Sequence, residues 1–125
     1  MAPEKLLVSW IEINDHADLL TKQIKGSKTK FSKIFAIPRG GLVLGVMLSH
    51  RLGIPMAKEQ DGQSDTLIVD EIWDTGKTAI QYCAKGQKFA CIHFKPEANK
   101  TDKKPDFYCS ETDAWVNYPW ECAEK

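Results

Sequence analysis

The segment Thr66–Ala79 constrains the fold and function of this chain more than any other part of its sequence. The apolar residues Leu67–Val69 predict a buried parallel strand, which stops at two adjacent carboxylates, Asp70 and Glu71. The stretch Asp74-Thr75-Gly76-Lys77-Thr78 follows and leads into a predicted helix. Exposed amides at a helix start, beside hydroxyls and a glycine, can bind phosphate. The two carboxylates beside this stretch indicate a ligand that has a phosphate together with either vicinal hydroxyls or a metal ion. A ribose 5-phosphate is such a ligand.

Two commoner phosphate-binding motifs do not fit the sequence. A P-loop that ended in Gly76-Lys77-Thr78 would need a glycine where this chain has Glu71. The dinucleotide fingerprint would need a glycine at Leu42, within the run Gly40–Gly45. A further alternative is that Asp70 and Glu71 only solvate a loop after a strand.

The whole motif resembles a known family. The stretch Val69-Asp70-Glu71-Ile72-Trp73-Asp74-Thr75-Gly76-Lys77-Thr78 is similar to the signature with which type I phosphoribosyltransferases bind 5-phosphoribosyl-1-pyrophosphate (PRPP). Three other segments resemble, in the same order, those of bacterial xanthine–guanine phosphoribosyltransferases: the pyrophosphate loop (Ile37–Val43), the purine-contacting lysine segment (Phe94–Pro96) and the base-stacking segment (Trp115–Glu121). The resemblance implies an α/β, type I phosphoribosyltransferase-like fold, in which helices flank a central, mostly parallel sheet and a short C-terminal flap binds the base.

The alternation of strand and helix patterns independently predicts an α/β fold with a central parallel sheet. The predicted strands are Ile34–Ile37, Ile54–Met56, Leu67–Val69 and Lys88–Phe94; the predicted helices are one capped by Asn14 or Asp15 and stopped by Gly26, an apolar and buried one at Leu42–Leu52, and one at Ala79–Lys85. Residues 95–106 predict an irregular connection, and 107–108 and 114–118 predict edge strands or a C-terminal flap. Ligands bind beyond the carboxyl ends of such strands, where the singled-out loops lie.

Length and composition set the remaining bounds. The 125 residues predict a single domain, 1–125. Lys plus Arg and Asp plus Glu both number 17, so no overall charge favours nucleic acid or a membrane as a partner. Neither a signal peptide nor a membrane span is evident, and the spacing of the cysteines does not support a zinc site. We therefore expect a protein of a reducing, cytoplasmic compartment.

The carboxylate pair Asp70 and Glu71 suits a ribose or a metal ion. Carboxylates accept charge-assisted hydrogen bonds from the 2- and 3-hydroxyls, and they can hold hydrated Mg²⁺ together with phosphate oxygens. The resemblance implies the same role, with Mg²⁺ as the cofactor. Many relatives have Glu-Asp or Asp-Asp where this chain has Asp-Glu.

The phosphate loop contains the candidate catalytic residue, Asp74. The resemblance implies that Asp74 faces N7 of the purine and handles its proton, while Asp74, Thr75, Gly76, Lys77 and Thr78 bind the 5-phosphate. The backbone of Lys77 would suffice for this. Alternatively, Asp74 only caps the helix that follows; both roles are compatible.

The segment Pro38-Arg39-Gly40-Gly41 suits pyrophosphate, because the planar guanidinium and the open backbone amides can approach its oxygens. The resemblance further implies a non-proline cis peptide in this loop. The alternative role for Arg39 is a surface salt bridge.

Base recognition is expected to come from later segments. The resemblance implies that Lys95 contacts the 6-oxygen of a purine, that Trp115 stacks on the base, and that the Val116 backbone reads the 2-substituent. The alternative is that Trp115 and Trp120 are packing residues, and for Trp120 we favour packing.

The sequence as a whole predicts a magnesium-dependent purine phosphoribosyltransferase that transfers the phosphoribosyl group of PRPP to guanine, xanthine or hypoxanthine, as a homodimer or homotetramer. An alternative is a PRPP- or nucleotide-binding sensor that lacks turnover, which is suggested by the segment Ala57–Asp65. This segment is short for the mobile hood that type I enzymes usually carry there. A weaker alternative is a structural subunit of a larger assembly.

Overall fold

The computed structural model describes residues 4–122, which form three helices and seven strands. In chain order they are β1 (Lys5–Leu7), α1 (Trp10–Gly26), β2 (Lys33–Ala36), α2 (Leu42–Leu52), β3 (Thr66–Val69), β4 (Ile72–Trp73), α3 (Lys77–Tyr82), β5 (Phe89–Phe94), β6 (Phe107–Glu111) and β7 (Trp115–Asn117). Across residues 4–122, every helix is too short or too polar to cross a membrane.

The central sheet contains β2 to β6, and all of its strand pairs are parallel. β6 pairs with one side of β5. On the other side, β3 pairs with the first part of β5 and β4 with its last part. β3 and β4 therefore act as one strand that is interrupted at residues 70–71. Every residue of β3 and β5 is buried, as expected for strands covered on both faces. The predicted α/β fold with a parallel sheet is confirmed.

Side chains on the two faces of the sheet enter two separate hydrophobic clusters. On one face, Ile34 and Leu67 pack with the buried sides of α1 and α2. On the other face, Phe35 and Ile68 pack with Ala79 of α3. Successive residues of a strand point to opposite faces, so each strand contributes to both clusters. The result is a three-layer domain.

A second, two-stranded sheet joins the two ends of the described chain. β1 pairs in parallel with β7, so that Lys5 lies opposite Trp115 and Leu6 opposite Val116. The C-terminal segment that the sequence predicts as a flap is thus one strand of a small sheet. Its partner, β1, was not predicted, because three residues are too few to show a strand pattern.

Helix boundaries differ from the predictions at two places. The first helix begins at Trp10 rather than at Asn14 or Asp15, because Ser9 and Glu12 form a reciprocal capping box. α3 covers Lys77–Tyr82 rather than 79–85, because the chain becomes extended at its C-cap residue, Cys83.

Two other predictions need correction. The predicted strand 54–56 contributes only one bridge, between Met56 and Ile34, since no longer run of pairing forms there. Helix α2 has the predicted bounds, but it is not buried on nearly all sides. Leu42 and Val46 are 41% and 45% exposed, because only one side of the helix packs against the sheet.

The short segment 57–65 is fastened at the amino end of the sheet. Asp61 forms an ion pair with Lys33 at 2.7 Å and accepts a hydrogen bond from Thr66 at 2.9 Å. Lys33 and Thr66 begin β2 and β3. Gln60 and Gln87 exchange amide hydrogen bonds of 2.8 Å. These contacts place residues 60–65 at the opposite end of the strands from the loops that the sequence predicts to bind ligand.

The capping box predicts a measurable contribution to stability. We expect Ser9→Ala to lower the free energy of unfolding by about 1 kcal/mol, because the Glu12 amide loses its hydrogen-bond acceptor. Urea unfolding followed by circular dichroism measures this. Ser64→Ala, at an exposed position outside the helices and strands, is the matched control and should have little effect. Equal stability of the two variants would contradict the role of the cap.

Candidate functional site

The two carboxylates lie at the interruption between β3 and β4, beyond the end of the buried strand. Asp70 is only 6% exposed and accepts a 2.9 Å hydrogen bond from the Glu71 amide. Burial, and then the neighbouring Glu71 carboxylate, raise the pKa of Asp70 far above its usual range. The pair therefore resists holding two negative charges unless a cation is bound.

The pyrophosphate loop, Pro38–Gly41, packs directly against this carboxylate pair. A Cβ atom at Gly41 would lie 2.6 Å from the carbonyl oxygen of Val69, and one at Gly40 would overlap the carboxylate of Glu71. Gly41 is therefore required for the two loops to approach this closely, because the atoms that its Cβ would meet belong to the backbone. At Gly40 the obstructing atoms are the end of the flexible Glu71 side chain, which can shift. The peptide bond Pro38–Arg39 is cis, which confirms the geometry that the family resemblance implies.

The phosphate loop, Asp74–Thr78, turns at Gly76, whose φ of +91° is a conformation that side chains other than glycine rarely adopt. The Thr75 hydroxyl accepts a hydrogen bond from the Lys77 amide at 3.3 Å. Asp74, Thr75, Lys77 and Thr78 are all exposed, so their polar groups are accessible to a ligand.

The connection 95–106 forms hydrogen bonds with the phosphate loop and with Trp73, which precedes it. The amide of Lys100 donates to the Thr75 carbonyl at 2.9 Å. Asn99 accepts hydrogen bonds from the Trp73 indole and from the backbone and hydroxyl of Thr101. The Asn99 side-chain oxygen would also lie 2.9 Å from a Cβ atom added at Gly76. Sequence analysis missed Asn99, although the Asn-x-Thr spacing is typical of a local turn.

The candidate base-binding residues come together at one place. The ammonium of Lys95 lies 4.0 Å from a carboxylate oxygen of Asp74 and 5.9 Å from the centre of the Trp115 ring. Lys95 is only 8% exposed, whereas the Trp115 side chain is 59% exposed. Trp115 therefore presents an open aromatic face beside a positioned cation, and it is not a core residue.

The other residues of the C-terminal segment pack. Trp120 stacks on Tyr118 with ring centres 5.0 Å apart, and it also contacts Trp10. This agrees with the packing role expected for Trp120. The Val116 side chain is buried in the core, so only its backbone remains available for contact with a ligand.

A cleft of about 740 Å³ is lined by residues of the pyrophosphate loop, by Glu71 and by the C-terminal segment. Arg39, Gly40, Glu71 and Trp115 are among its lining residues. Lys95 and the phosphate loop, Asp74–Thr78, do not line this cleft. This volume is within the range of small-molecule sites. Within residues 4–122, no carboxylate lies at ion-pair distance from Arg39, which disagrees with the salt-bridge alternative. Lys5 also lines the cleft, and sequence analysis did not select it because β1 was not predicted.

Comparison with solved structures identifies the fold as that of the type I phosphoribosyltransferases. The purine phosphoribosyltransferase of Pyrococcus horikoshii OT3 matches with a TM-score of 0.77 and 31% identity, over 94% of each chain. A xanthine-guanine-hypoxanthine phosphoribosyltransferase of Helicobacter pylori matches with a TM-score of 0.76 and 18% identity, over 94% of this chain and 93% of its own.

A hypothetical protein of Neisseria gonorrhoeae with bound ppGpp has the same fold, with a TM-score of 0.77 and 20% identity, over 99% of this chain and 93% of its own. No family model matches the sequence. The identity and coverage of the Pyrococcus horikoshii match nevertheless show that the chain belongs to the type I phosphoribosyltransferase family.

The contact between the loops predicts that Gly41 tolerates no side chain. Gly41→Ala should lower the free energy of unfolding by about 1–3 kcal/mol, because the obstructing atoms belong to the backbone of the sheet. Urea unfolding measures this. Gly26→Ala is the control, because a Cβ there meets nothing within 4 Å, and we expect it to keep or increase stability. If both variants are as stable as the parent, the two loops are not packed this closely.

Proposed function

We propose that this protein is a purine phosphoribosyltransferase that joins a 6-oxopurine to PRPP, with Mg²⁺, and releases pyrophosphate and a nucleoside monophosphate. Guanine, xanthine and hypoxanthine are the candidate bases. Membership of the family supports the transferase chemistry, and the purine phosphoribosyltransferase of Pyrococcus horikoshii supports a purine as the acceptor.

The observation that carries the 6-oxopurine assignment is the 4.0 Å separation of Lys95 and Asp74. N7 and O6 of a purine lie next to each other on one edge of the ring system. An ammonium and a carboxyl group this close can address both atoms at once. Lys95 can only donate hydrogen bonds, so it favours a 6-oxo acceptor over a 6-amino donor. Trp115 would stack on the base, a contact worth about 1–3 kcal/mol in related base–aromatic pairs.

The remaining loops suit PRPP. The 5-phosphate would bind the exposed amides and hydroxyls of Asp74–Thr78, and the pyrophosphate would bind Arg39 and the glycine backbone of the pyrophosphate loop. Asp70 and Glu71 would hold the ribose hydroxyls and Mg²⁺. Mg²⁺ is commonly bound by one or two carboxylates together with phosphate oxygens, so this donor set fits the ion. When bound, Mg²⁺ would supply positive charge to the pyrophosphate.

Asp74 would act on the purine as general acid–base. Its carboxyl group is half exposed, so a base can reach it, and Lys95 lies beside it. We propose that it exchanges the N7 proton as the glycosidic bond at N9 forms or breaks. Such a positioned carboxylate typically contributes ~10²–10⁴-fold to the rate.

The experiment that tests this function is an assay of pyrophosphate release from PRPP. Each free base is supplied in turn, with Mg²⁺ or with a chelator. We expect turnover with one or more 6-oxopurines, and only when Mg²⁺ is present. Activity restricted to adenine, uracil or orotate would overturn the 6-oxopurine assignment and leave the family unaffected.

The acid–base role predicts a specific kinetic defect. Asp74→Asn should reduce kcat by about 10²-fold or more while PRPP affinity stays nearly unchanged, because the amide cannot carry the proton. Steady-state kinetics and calorimetry measure the two quantities. Asp15→Asn, on the exposed side of α1, provides the matched control and should retain parental kcat. A parental kcat in Asp74→Asn would leave Asp74 as a helix cap only.

Base selectivity provides an independent prediction. Lys95→Met keeps most of the side-chain volume but removes the donor, so the preference for 6-oxo over 6-amino bases should decrease. Calorimetry with guanine and adenine measures this preference, and PRPP affinity is the internal control. An unchanged guanine-to-adenine affinity ratio would mean that Lys95 does not read the 6-position.

A second candidate function is a PRPP- or nucleotide-binding regulatory protein without turnover. Two observations favour it: a structural neighbour has ppGpp bound, and segment 60–65 is fastened at the amino end of the sheet, where it cannot cover the site. Asp74 and Lys95 favour the enzyme, because a sensor needs neither. Tight binding of PRPP or of a purine nucleotide, with no turnover of any base, would select this candidate.

A further inference from the structure

A buried hydroxyl group connects the C-terminal segment with the carboxylate pair. Tyr118, three residues after Trp115, is 4% exposed, and its hydroxyl donates to the backbone carbonyl of Glu71 at 3.1 Å. The same hydroxyl lies 2.9 Å from Nδ1 of His93, which is 2% exposed. A carbonyl oxygen can only accept a hydrogen bond, so the Tyr118 hydroxyl carries its proton.

The geometry determines where the protons lie. A phenol has one proton, and here the hydroxyl donates it to Glu71. The hydroxyl must therefore accept its second hydrogen bond from His93, which requires the proton on Nδ1. The hydrogen bonds alone therefore assign a proton to Nδ1 of His93.

The Glu71 carbonyl is a suitable point of attachment. It also accepts hydrogen bonds from the backbone amides of Ile92 and His93, at 3.0 and 3.3 Å. These two residues lie where β5 passes the interruption between β3 and β4. These hydrogen bonds fix the orientation of the peptide group between Glu71 and Ile72, and so of the backbone that carries the Glu71 side chain. The Glu71 carboxylate in turn lies against Gly40 of the pyrophosphate loop. One connected path thus runs from the base segment to two PRPP loops.

We propose that the Tyr118 hydroxyl is a positioning group that joins the base segment to Glu71 and makes the binding of base and of Mg²⁺–PRPP interdependent. This inference rests on the proposed function. Each ligand holds one end of the connection, so the first to bind orders part of the site for the second. Such coupling is reciprocal and acts equally on both affinities.

The test measures the affinity of 9-deazaguanine with and without Mg²⁺–PRPP, and of Mg²⁺–PRPP with and without 9-deazaguanine. This base analogue has a carbon in place of N9 and cannot form the usual glycosidic bond. In the parent protein we expect each ligand to strengthen the other by the same factor. Tyr118→Phe keeps the ring that stacks on Trp120 but loses the hydrogen bonds, so the factor should fall about two- to tenfold.

Tyr108→Phe is the matched control, because it removes a hydroxyl whose partner is the exposed carboxylate of Glu111. Its coupling factor should equal that of the parent. Independently of any ligand, nitrogen-15 NMR of the parent should show His93 with its proton on Nδ1, and Tyr118→Phe should change that signal.

The outcomes separate the two proposals. If the parent does not bind Mg²⁺–PRPP, the proposed function fails, whatever the NMR result. If the parent binds both ligands and Tyr118→Phe retains the full coupling factor, or His93 carries its proton on Nε2, this inference is wrong and the proposed function stands.

Discussion

The close approach of two backbones, after β2 and after β3, is the constraint on which the site depends. Gly41 lies so near the carbonyl of Val69 that a single methyl group would not fit. This contact brings the guanidinium-bearing loop beside the carboxylate pair, although about thirty residues separate them in the chain. The parallel register of β2 and β3 ends both strands at the same level, so the two loops leave the sheet together. Opposite charges thus line one cleft without forming an ion pair with each other.

Much of this arrangement was predictable because its determinants are local. The apolar run Leu67–Val69, followed by charged residues, predicts both the strand and where it ends. Gly53 likewise predicts the end of α2, where it forms a left-handed C-cap. The loop motifs follow strands directly, so their common location at the carboxyl edge needed only the alternation of strands and helices. Of the site residues predicted from sequence, Arg39, Gly40, Glu71 and Trp115 line one cleft, and Asp74 and Lys95 lie 4.0 Å apart. Their roles in binding and catalysis stay predictions.

The parts that sequence analysis missed depend on distant partners or on very short elements. β1 and β4 contain three and two residues, too few to show periodicity, and each exists through its pairing with another strand. The roles of Asn99, His93 and Tyr118 depend on which side chain lies opposite in space, and no spacing in the sequence encodes that. The start of α1 is different: its Ser9-x-x-Glu12 capping box is a local pattern in the sequence, and it lies upstream of the predicted cap at Asn14 or Asp15.

The pairing of β1 with β7 has a consequence for how the molecule assembles. Lys5 and Trp115 come from opposite ends of the described chain, so their pairing closes the longest loop in the fold. Long loops are closed at the greatest entropic cost, and pairings of this kind tend to form late and to open first. The aromatic face of Trp115 therefore lies on the sheet that pairs the two ends of the described chain, whereas the phosphate and carboxylate loops follow strands of the five-stranded sheet. Local opening of the small sheet would expose one half of the cleft and leave the other half folded.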